Sequence, residues 1–315
     1  MKEAIILLNM GGPNNLHEVE LFLTNMFNDP AIIRTKSSLL RRFIAAMITL
    51  SRTEKSQEIY RRIGGKSPIV GLTTSLVTKL QEALSDEVMV DFVMRYTPPM
   101  ARKVIEKLQR NGVEKVFLIP LYPHYSSTTT ASSLDDFEAT AHAMGWSPIM
   151  VEIKHFFMND RYNTLLVSLI QETLGHDHPQ EFELIFSAHG LPQKIVDQGD
   201  PYQRHVMAHV DLLTTKLHEA NLYFNAIHLA YQSKVGPMKW LEPSLESMLQ
   251  GVRTPNVIIV PLAFTIDNSE TDFELSIEYA EIAHELGITD YRVCSCPNDH
   301  PLFVDFLVNT YHKMK

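Results

Sequence analysis

Short apolar runs alternate with longer amphipathic stretches along most of the chain. Residues 4–8, 88–94, 116–120, 184–186, 226–230 and 257–262 are compact, mainly aliphatic runs, which predicts buried strands. Between them, apolar residues recur at helical spacing over residues 70–84, 100–111, 161–174, 205–220 and 270–286. Strand–helix–strand order implies parallel sheets covered by helices on both faces, an α/β fold. One helix–strand unit ends near residue 150 and the next starts at residues 155–160, so a domain boundary is expected near 150. The last helical stretch, 301–315, is expected to cross back onto the first domain. The expected organisation is 1–150 with 300–315 as one domain and 151–299 as the other. Two doubly wound domains present the carboxyl ends of their strands to a cleft, where ligands bind in such folds.

Bulk properties narrow the class. A chain of 315 residues has room for two domains and can bury cores without covalent staples. Lys and Arg number 28 against 37 Asp and Glu, a formal charge of −9, which argues against a nucleic-acid partner. The two cysteines, Cys294 and Cys296, are one residue apart and read as free thiols in a reducing cytoplasm. No run approaches the roughly 18 apolar residues of a membrane helix, and the amino-terminal apolar run is too short for a signal peptide. A soluble cytoplasmic protein is expected, and a peripheral contact with a membrane is compatible with this reading.

The strand ends carry the candidate chemistry. The first strand leads into Asn9-Met10-Gly11-Gly12-Pro13, whose glycines suit a tight turn and do not complete a dinucleotide fingerprint. Tyr60-Arg61-Arg62-Ile63-Gly64-Gly65-Lys66-Ser67 could cradle an anion or be a solvated basic loop. Residues 121–130 bring seven hydroxyl groups and His124 after one strand, more than helix capping alone needs. His189, between Ala188 and Gly190, sits at the lip of a central strand, where an imidazole serves proton transfer or metal binding. Tyr231 and Trp240 offer flat apolar surface beside Gln232 and Ser233, a combination that suits a planar ligand. After the last long strand come Asp267 and then Glu270, Glu274, Glu278 and Glu281, at steps of four, four and three on one helix face. Solvated acidic faces are common, and Glu270 is the member of that row that starts at a strand end.

A histidine with one carboxylate suits divalent iron, zinc or manganese. So sparse a set holds metal weakly, which suits delivery better than storage. Metal insertion into a porphyrin needs such a site, an acceptor for two pyrrole protons, and a rigid cleft that binds the bent macrocycle better than the flat one. The ordered segments 7–13, 60–69, 120–123, 187–192, 232–237 with Trp240, and 269–271 with Glu274 together resemble the ferrochelatase family, over nearly the whole chain. The resemblance implies two similar Rossmann-like domains, each a four-stranded parallel sheet flanked by helices, with the active-site cleft between them. It implies that His189 and Glu270 are the opposed catalytic and metal-site residues, with His189 accepting pyrrole protons. It implies porphyrin-binding positions at Met10, Arg52 (for a propionate), Tyr60, Ser67, Tyr122, Ser126, Ser127, Gln232, Ser233 and Trp240. Asp267, Glu274 and Glu278 would relay protons or metal.

The activity so implied is insertion of Fe(II) into a porphyrin, with protoporphyrin IX expected, as the last step of haem synthesis. Porphyrin and ferrous iron are the partners, the expected state is a monomer, and no cofactor is permanently bound. Two cysteines cannot supply the four thiolates of an iron–sulfur cluster, so none is expected. The sequence departs from the family's pattern at Asn268, where a second histidine is usual, and at His124, where glutamine is common. Two other readings remain at this level: a cobalt or nickel chelatase acting on a related tetrapyrrole, and a non-catalytic tetrapyrrole carrier.

Overall fold

The computed structural model describes residues 2–234 and 238–315; Val235, Gly236 and Pro237, part of the segment 232–237 singled out above, lie outside the described residues. The chain forms two compact units. One contains the residues up to His155 together with Asp299–Lys315, and the other is Phe156–Asn298.

In the first unit, β1 (Lys2–Asn9), β2 (Val88–Met94), β3 (Val113–Pro120) and β4 (Ile149–Glu152) form a parallel sheet in the order β2-β1-β3-β4. Ala4 to Leu8 are essentially without solvent contact. A central strand between two helical layers must be apolar on both faces, which is why it reads as an unbroken run rather than an alternation. Its helices are α1 (Glu18–Asn28), α2 (Ser38–Arg62), α3 (Ile69–Glu82), α4 (Ala101–Arg110) and α5 (Ser132–Ala143). A short π-helical turn, Ser127–Ala131, precedes α5. On α4, Val104, Ile105 and Leu108 are buried while the charged residues face out.

The second unit repeats the plan. Its strands β5 (Glu183–His189), β6 (Ala226–Gln232), β7 (Asn256–Pro261) and β8 (Asp290–Val293) are parallel in the order β6-β5-β7-β8. Its helices are α6 (Asp160–Leu174), α7 (Gln193–Asp197), α8 (Tyr202–Glu219), α9 (Leu245–Leu249) and α10 (Tyr279–Glu285). The carboxyl-terminal helix α11 (Pro301–Met314) belongs to the first unit. There Tyr311 packs edge-on against Phe117 at 4.9 Å between ring centres, and its hydroxyl donates to Glu3 Oε2 at 2.6 Å.

Three features differ from the pattern-based expectation. Among the described residues eight strands form where apolar runs marked six: β8 is half-exposed and carries Asp290 and Arg292, and the apolar run of β4, Ile149 to Val151, is only three residues long at a sheet edge. β4 pairs with β3, so the first unit extends through His155 and past residue 150. The helix expected over 270–286 is π-helical from Glu270 to Glu278 and α-helical only afterwards. The wider turn is marked by the Tyr279 N–H, which donates to the Glu274 carbonyl five residues back.

Candidate functional site

The second sheet ends in a cluster of polar side chains held by its strand ends. β5 delivers His189, and the adjacent end of β6 delivers Gln232 and then Ser233. The turn after β7 leads to Glu270 at the first position of the π helix. His189 Nδ1 lies 2.7 Å from Glu270 Oε2. The same oxygen accepts from Gln232 Nε2 at 3.3 Å and from the Ser233 hydroxyl at 3.0 Å. Three donors on one carboxylate oxygen fix it firmly. Gln232 is itself oriented by Ser187, whose hydroxyl donates to Oε1 at 2.7 Å and so leaves the amide nitrogen to face Glu270. The Tyr202 hydroxyl donates to the His189 carbonyl at 2.9 Å and steadies the strand end.

Backbone geometry explains the local sequence. A Cβ on Gly190 would sit 2.8 Å from the Gln232 carbonyl oxygen, so only glycine lets the chain leave His189 this close to β6. The Gly190 N–H donates to that same carbonyl at 2.9 Å. Ser233 occupies the left-handed region at φ 66°, a costly conformation for a residue with a side chain. There its N–H donates to Glu274 Oε1 at 2.8 Å and its hydroxyl reaches Glu274 Oε2 at 2.6 Å. Asn268, the position where the family pattern has histidine, accepts the Glu270 N–H on Oδ1 at 2.8 Å. It holds an amide at the start of the π helix, as a helix cap does.

Electrostatics follow from burial and pairing. Burial by itself disfavours the imidazolium, but the Glu270 carboxylate overcomes it and the His189 pKa is raised. Burial likewise opposes the Glu270 charge, and His189, Ser233 and Gln232 together hold its pKa below the usual value. Glu274 is pushed up to about 7 by burial and by the neighbouring Glu270 charge. The cluster therefore joins an ionic pair to a carboxyl group poised near neutrality. His189 keeps 38% of its side-chain surface, so the imidazole is open to a ligand. With Nδ1 engaged by Glu270, Nε2 is the nitrogen that remains to meet one. Gly190, Gln232, Tyr231 and Trp240 also line a cavity of about 570 Å³.

The structure brings together His189, Glu270, Gln232, Ser233 and Glu274 among the positions singled out from the sequence. Trp240 bridges to Pro192 on the cavity's wall. Asp267 is committed elsewhere: its oxygens accept from Asn298 Nδ2 at 2.6 Å and from the Cys296 N–H at 3.3 Å. Glu278 is exposed at the end of the π helix. The other positions lie in the first unit. Met10 and Tyr60 pack in one apolar cluster with Phe22 and Tyr96. Ser67 is buried against Gly12, and its N–H donates to the Pro13 carbonyl at 2.8 Å. Tyr122 is buried, with its hydroxyl 3.2 Å from Ser133 Oγ. Ser126 faces inward and caps the short π turn by accepting from the Thr128 N–H, so part of the hydroxyl excess after β3 is structural. Ser127 accepts from Arg34 at 2.7 Å, and Arg52 is half-exposed on α2.

Sequence reasoning gave no supporting role to Ser187 or Tyr202. Ser187 stood one residue pair upstream of His189 on a strand pattern, but which side chain orients Gln232 is a matter of register. Among the described residues, no group of three or more His, Cys, Asp or Glu side chains is arranged to hold a metal ion. Cys294 and Cys296 are both buried and free, and burial pushes the Cys294 thiol up to about 12.

The family model described as Ferrochelatase matches residues 2–315. A protein of Sulfurimonas denitrificans named ferrochelatase is 60% identical over 314 residues, covering 100% of this chain and 99% of that one. A ferrochelatase of Nitratiruptor sp. is 50% identical over 312 residues, with 99% and 100% covered. Among solved structures, SirB from Bacillus subtilis with Fe3+ aligns over 100% of this chain and 96% of that chain with a TM-score of 0.58 at 13% identity. CbiX, described as the terminal enzyme of sirohaem biosynthesis in denitrifying bacteria, aligns over the full length of both chains at a TM-score of 0.53 and 12% identity. The structural likeness at such low identity establishes the fold: two four-stranded parallel sheets flanked by helices, as in chelatases. With identities of 60% and 50% over full-length relatives and a family match from end to end, the chain belongs to the ferrochelatase family.

Proposed function

We propose that the His189–Glu270 pair carries the reaction of this family, insertion of ferrous iron into a porphyrin to give haem with release of two pyrrole protons. The observation that supports it most is the 2.7 Å contact between His189 Nδ1 and Glu270 Oε2. A neutral imidazole that donates Nδ1–H to a carboxylate presents a basic Nε2 lone pair. When Nε2 takes a pyrrole proton, the imidazolium is stabilised by the carboxylate already in place. Glu270, held by Gln232 and Ser233, needs no reorganisation at that moment. Glu274 then provides a second acceptor along the π helix, and the exposed Glu278 continues the acidic row towards solvent. Iron is the substrate: one imidazole and one carboxylate bind it weakly enough to give it up to four pyrrole nitrogens.

The porphyrin is proposed to be protoporphyrin IX, bound through Met10, Arg52, Tyr60, Ser67, Tyr122, Ser126, Ser127, Gln232, Ser233 and Trp240, with Asp267 as a member of the relay. The protein is proposed to act as a cytoplasmic monomer with a peripheral membrane contact and without a resident iron–sulfur cluster. The test is turnover: purified protein, Fe(II) and porphyrin are mixed without oxygen and the porphyrin spectrum is followed. Multiple turnovers are expected, and stoichiometric binding without turnover would favour a carrier. His189→Ala should lower the rate by about 10²-fold or more, the usual worth of a general base, while porphyrin fluorescence titration shows retained binding. Normal turnover in that variant overturns the assignment.

A further inference from the structure

We infer that Tyr291 is a positioning residue for the insertion reaction: its hydroxyl holds the π-helical turn open at Glu274 and so keeps that carboxylate beside Glu270. The inference rests on the reading of Glu274 as the second proton acceptor. The observation behind it is an exchange of partners on one carbonyl. In an α-helix the Tyr279 N–H would donate to the Leu275 carbonyl, four residues back. Here it donates to the Glu274 carbonyl, five residues back. The Leu275 carbonyl, passed over by that N–H, accepts from the Tyr291 hydroxyl at 2.9 Å. Leu275 is wholly buried, and a buried acceptor left without a donor is costly. The phenol supplies the bond that the tighter turn would have supplied, so the wide turn is not penalised at this carbonyl.

The position of Tyr291 suits it to this task. It stands on β8, in register with Val257 of β7, and packs with Tyr279 against the core that contains Leu275. Its hydroxyl is therefore fixed by the sheet, a frame outside the helix. Ser276 makes a similar contact, donating to the Thr271 carbonyl at 2.7 Å. That donor rides on the helix it bonds and cannot hold it against another element. Burial, with Tyr279 and Glu274 nearby, raises the Tyr291 pKa well above its ordinary value of 10, so the group stays a donor.

What the wide turn positions is visible at Ser233. The Ser233 hydroxyl lies 3.0 Å from Glu270 Oε2 and 2.6 Å from Glu274 Oε2, and its N–H donates to Glu274 Oε1 at 2.8 Å. In an α-helix a residue four positions on stands about 40° out of line with the first. A turn closed by i→i+5 bonds reduces that offset. Tightening it would swing Glu274 away from Ser233, while Glu270, at the first helical position, keeps its contacts with His189 and Gln232.

The experiment pairs kinetics with crystallography on Tyr291→Phe, which removes one oxygen and leaves the ring to pack. In the crystal structure of that variant without ligands, the Tyr279 N–H is expected on the Leu275 carbonyl and Glu274 is expected off Ser233. Its kcat should fall by about fivefold, with the porphyrin KM within about twofold of wild type. Glu274→Gln alone should fall by about tenfold, and adding Tyr291→Phe to it should cost less than about twofold more, because both changes act through the same carboxylate. Ser276→Ala should turn over at the wild-type rate. A Tyr291→Phe crystal structure with the Tyr279 N–H still on Glu274 overturns the inference. So does a full additional loss in the Glu274→Gln background, or an equal loss in Ser276→Ala, since either would make the hydroxyl a general support. A Tyr291→Phe chain that does not fold also overturns it, by making the hydroxyl a determinant of the sheet. Wild-type turnover in Glu274→Gln would instead refute the acceptor role of Glu274, and the crystal structure would still decide what holds the turn.

Discussion

At the residue scale, the site is one carboxylate oxygen shared by three donors. Glu270 Oε2 is reached by His189, Gln232 and Ser233, and the imidazole contact is the shortest of the three. The linkage runs in both directions. The raised imidazole pKa stabilises the fold fully below its ordinary value of 6.5, and that contribution is lost as pH rises through the raised value. The depressed carboxylate pKa stabilises the fold above its ordinary 4.5 and is lost as pH falls through the depressed value. For proton acceptance, the imidazole must be neutral, so the acid limb of the rate profile should lie above the usual histidine value. Glu270→Gln removes the charge that raises it. The variant should therefore show a rate lowered by about 10²-fold and an acid limb moved to lower pH, read from turnover between pH 5 and 9. A limb that stays where it was would mean that another group controls it. His189 was legible in the sequence because it ends a strand, and Glu270 because it opens the helix that follows the last long strand. The hydroxyl of Ser187 that turns Gln232 towards them was not, because which way an amide faces depends on register and packing.

At the scale of elements, the strands that were missed are the sheet edges. β8 is half-exposed and carries Asp290 and Arg292, so its composition resembles the loops around it, while the apolar run of β4, Ile149 to Val151, is only three residues long. α2 was also hard to read, because apolar residues lie on both its faces and no single 3.6-residue stripe stands out. The π helix was illegible for a different reason. Steps of four along Glu270, Glu274 and Glu278 suit an α-helix as well, and nothing in the side chains names the fifth residue as the hydrogen-bond partner. Its start depends on Asn268, which accepts the Glu270 N–H, donates its own N–H to Thr271 Oγ1 and donates its side-chain amide to the Ile266 carbonyl. Asn268→Ala should lower stability by about 1 kcal/mol, the usual cost of a lost cap, measured by urea unfolding. It should also slow insertion by several-fold, because the backbone carrying Glu270 loses its fixed start. Asn268→Asp preserves the acceptor and should recover most of the stability. Equal losses in both variants would show that the cap is not what Asn268 supplies.

At the scale of the whole molecule, two units share one topology but not one chemistry. Strand register makes the correspondence specific: Leu8 pairs with Pro120 in the first sheet as Ser187 pairs with Pro261 in the second. The Leu121 N–H donates to the Leu8 carbonyl, and the Leu262 N–H to that of Ser187. By this register Met10 stands where His189 stands, and the pairing of Leu8 with Val93 and of Ser187 with Ala230 sets Arg95 against Gln232. The first unit thus fills its strand ends with a permanent ionic cluster. Arg95 lies 3.1 Å from the buried Asp29, 3.2 Å from Asp136 and 3.1 Å from the Ser132 hydroxyl, and the Tyr96 hydroxyl donates to Asp29 at 2.8 Å. The repeated α/β order was visible in the alternation of runs, whereas this division of labour needed the register. Asp29→Ala removes the carboxylate at the centre of that cluster, takes the acceptor from the Tyr96 phenol and the Ser132 hydroxyl, and leaves Arg95 with Asp136 as its carboxylate partner. Breaking a buried pair typically costs about 3 kcal/mol, so the first unfolding transition in urea should move to clearly lower denaturant. The His189–Glu270 contact is built entirely within the other unit, so kcat per folded molecule should change by less than about twofold, against the 10²-fold expected when a proton acceptor is lost. A variant that keeps its stability but loses turnover would make the cluster part of the reaction rather than the scaffold of the first unit.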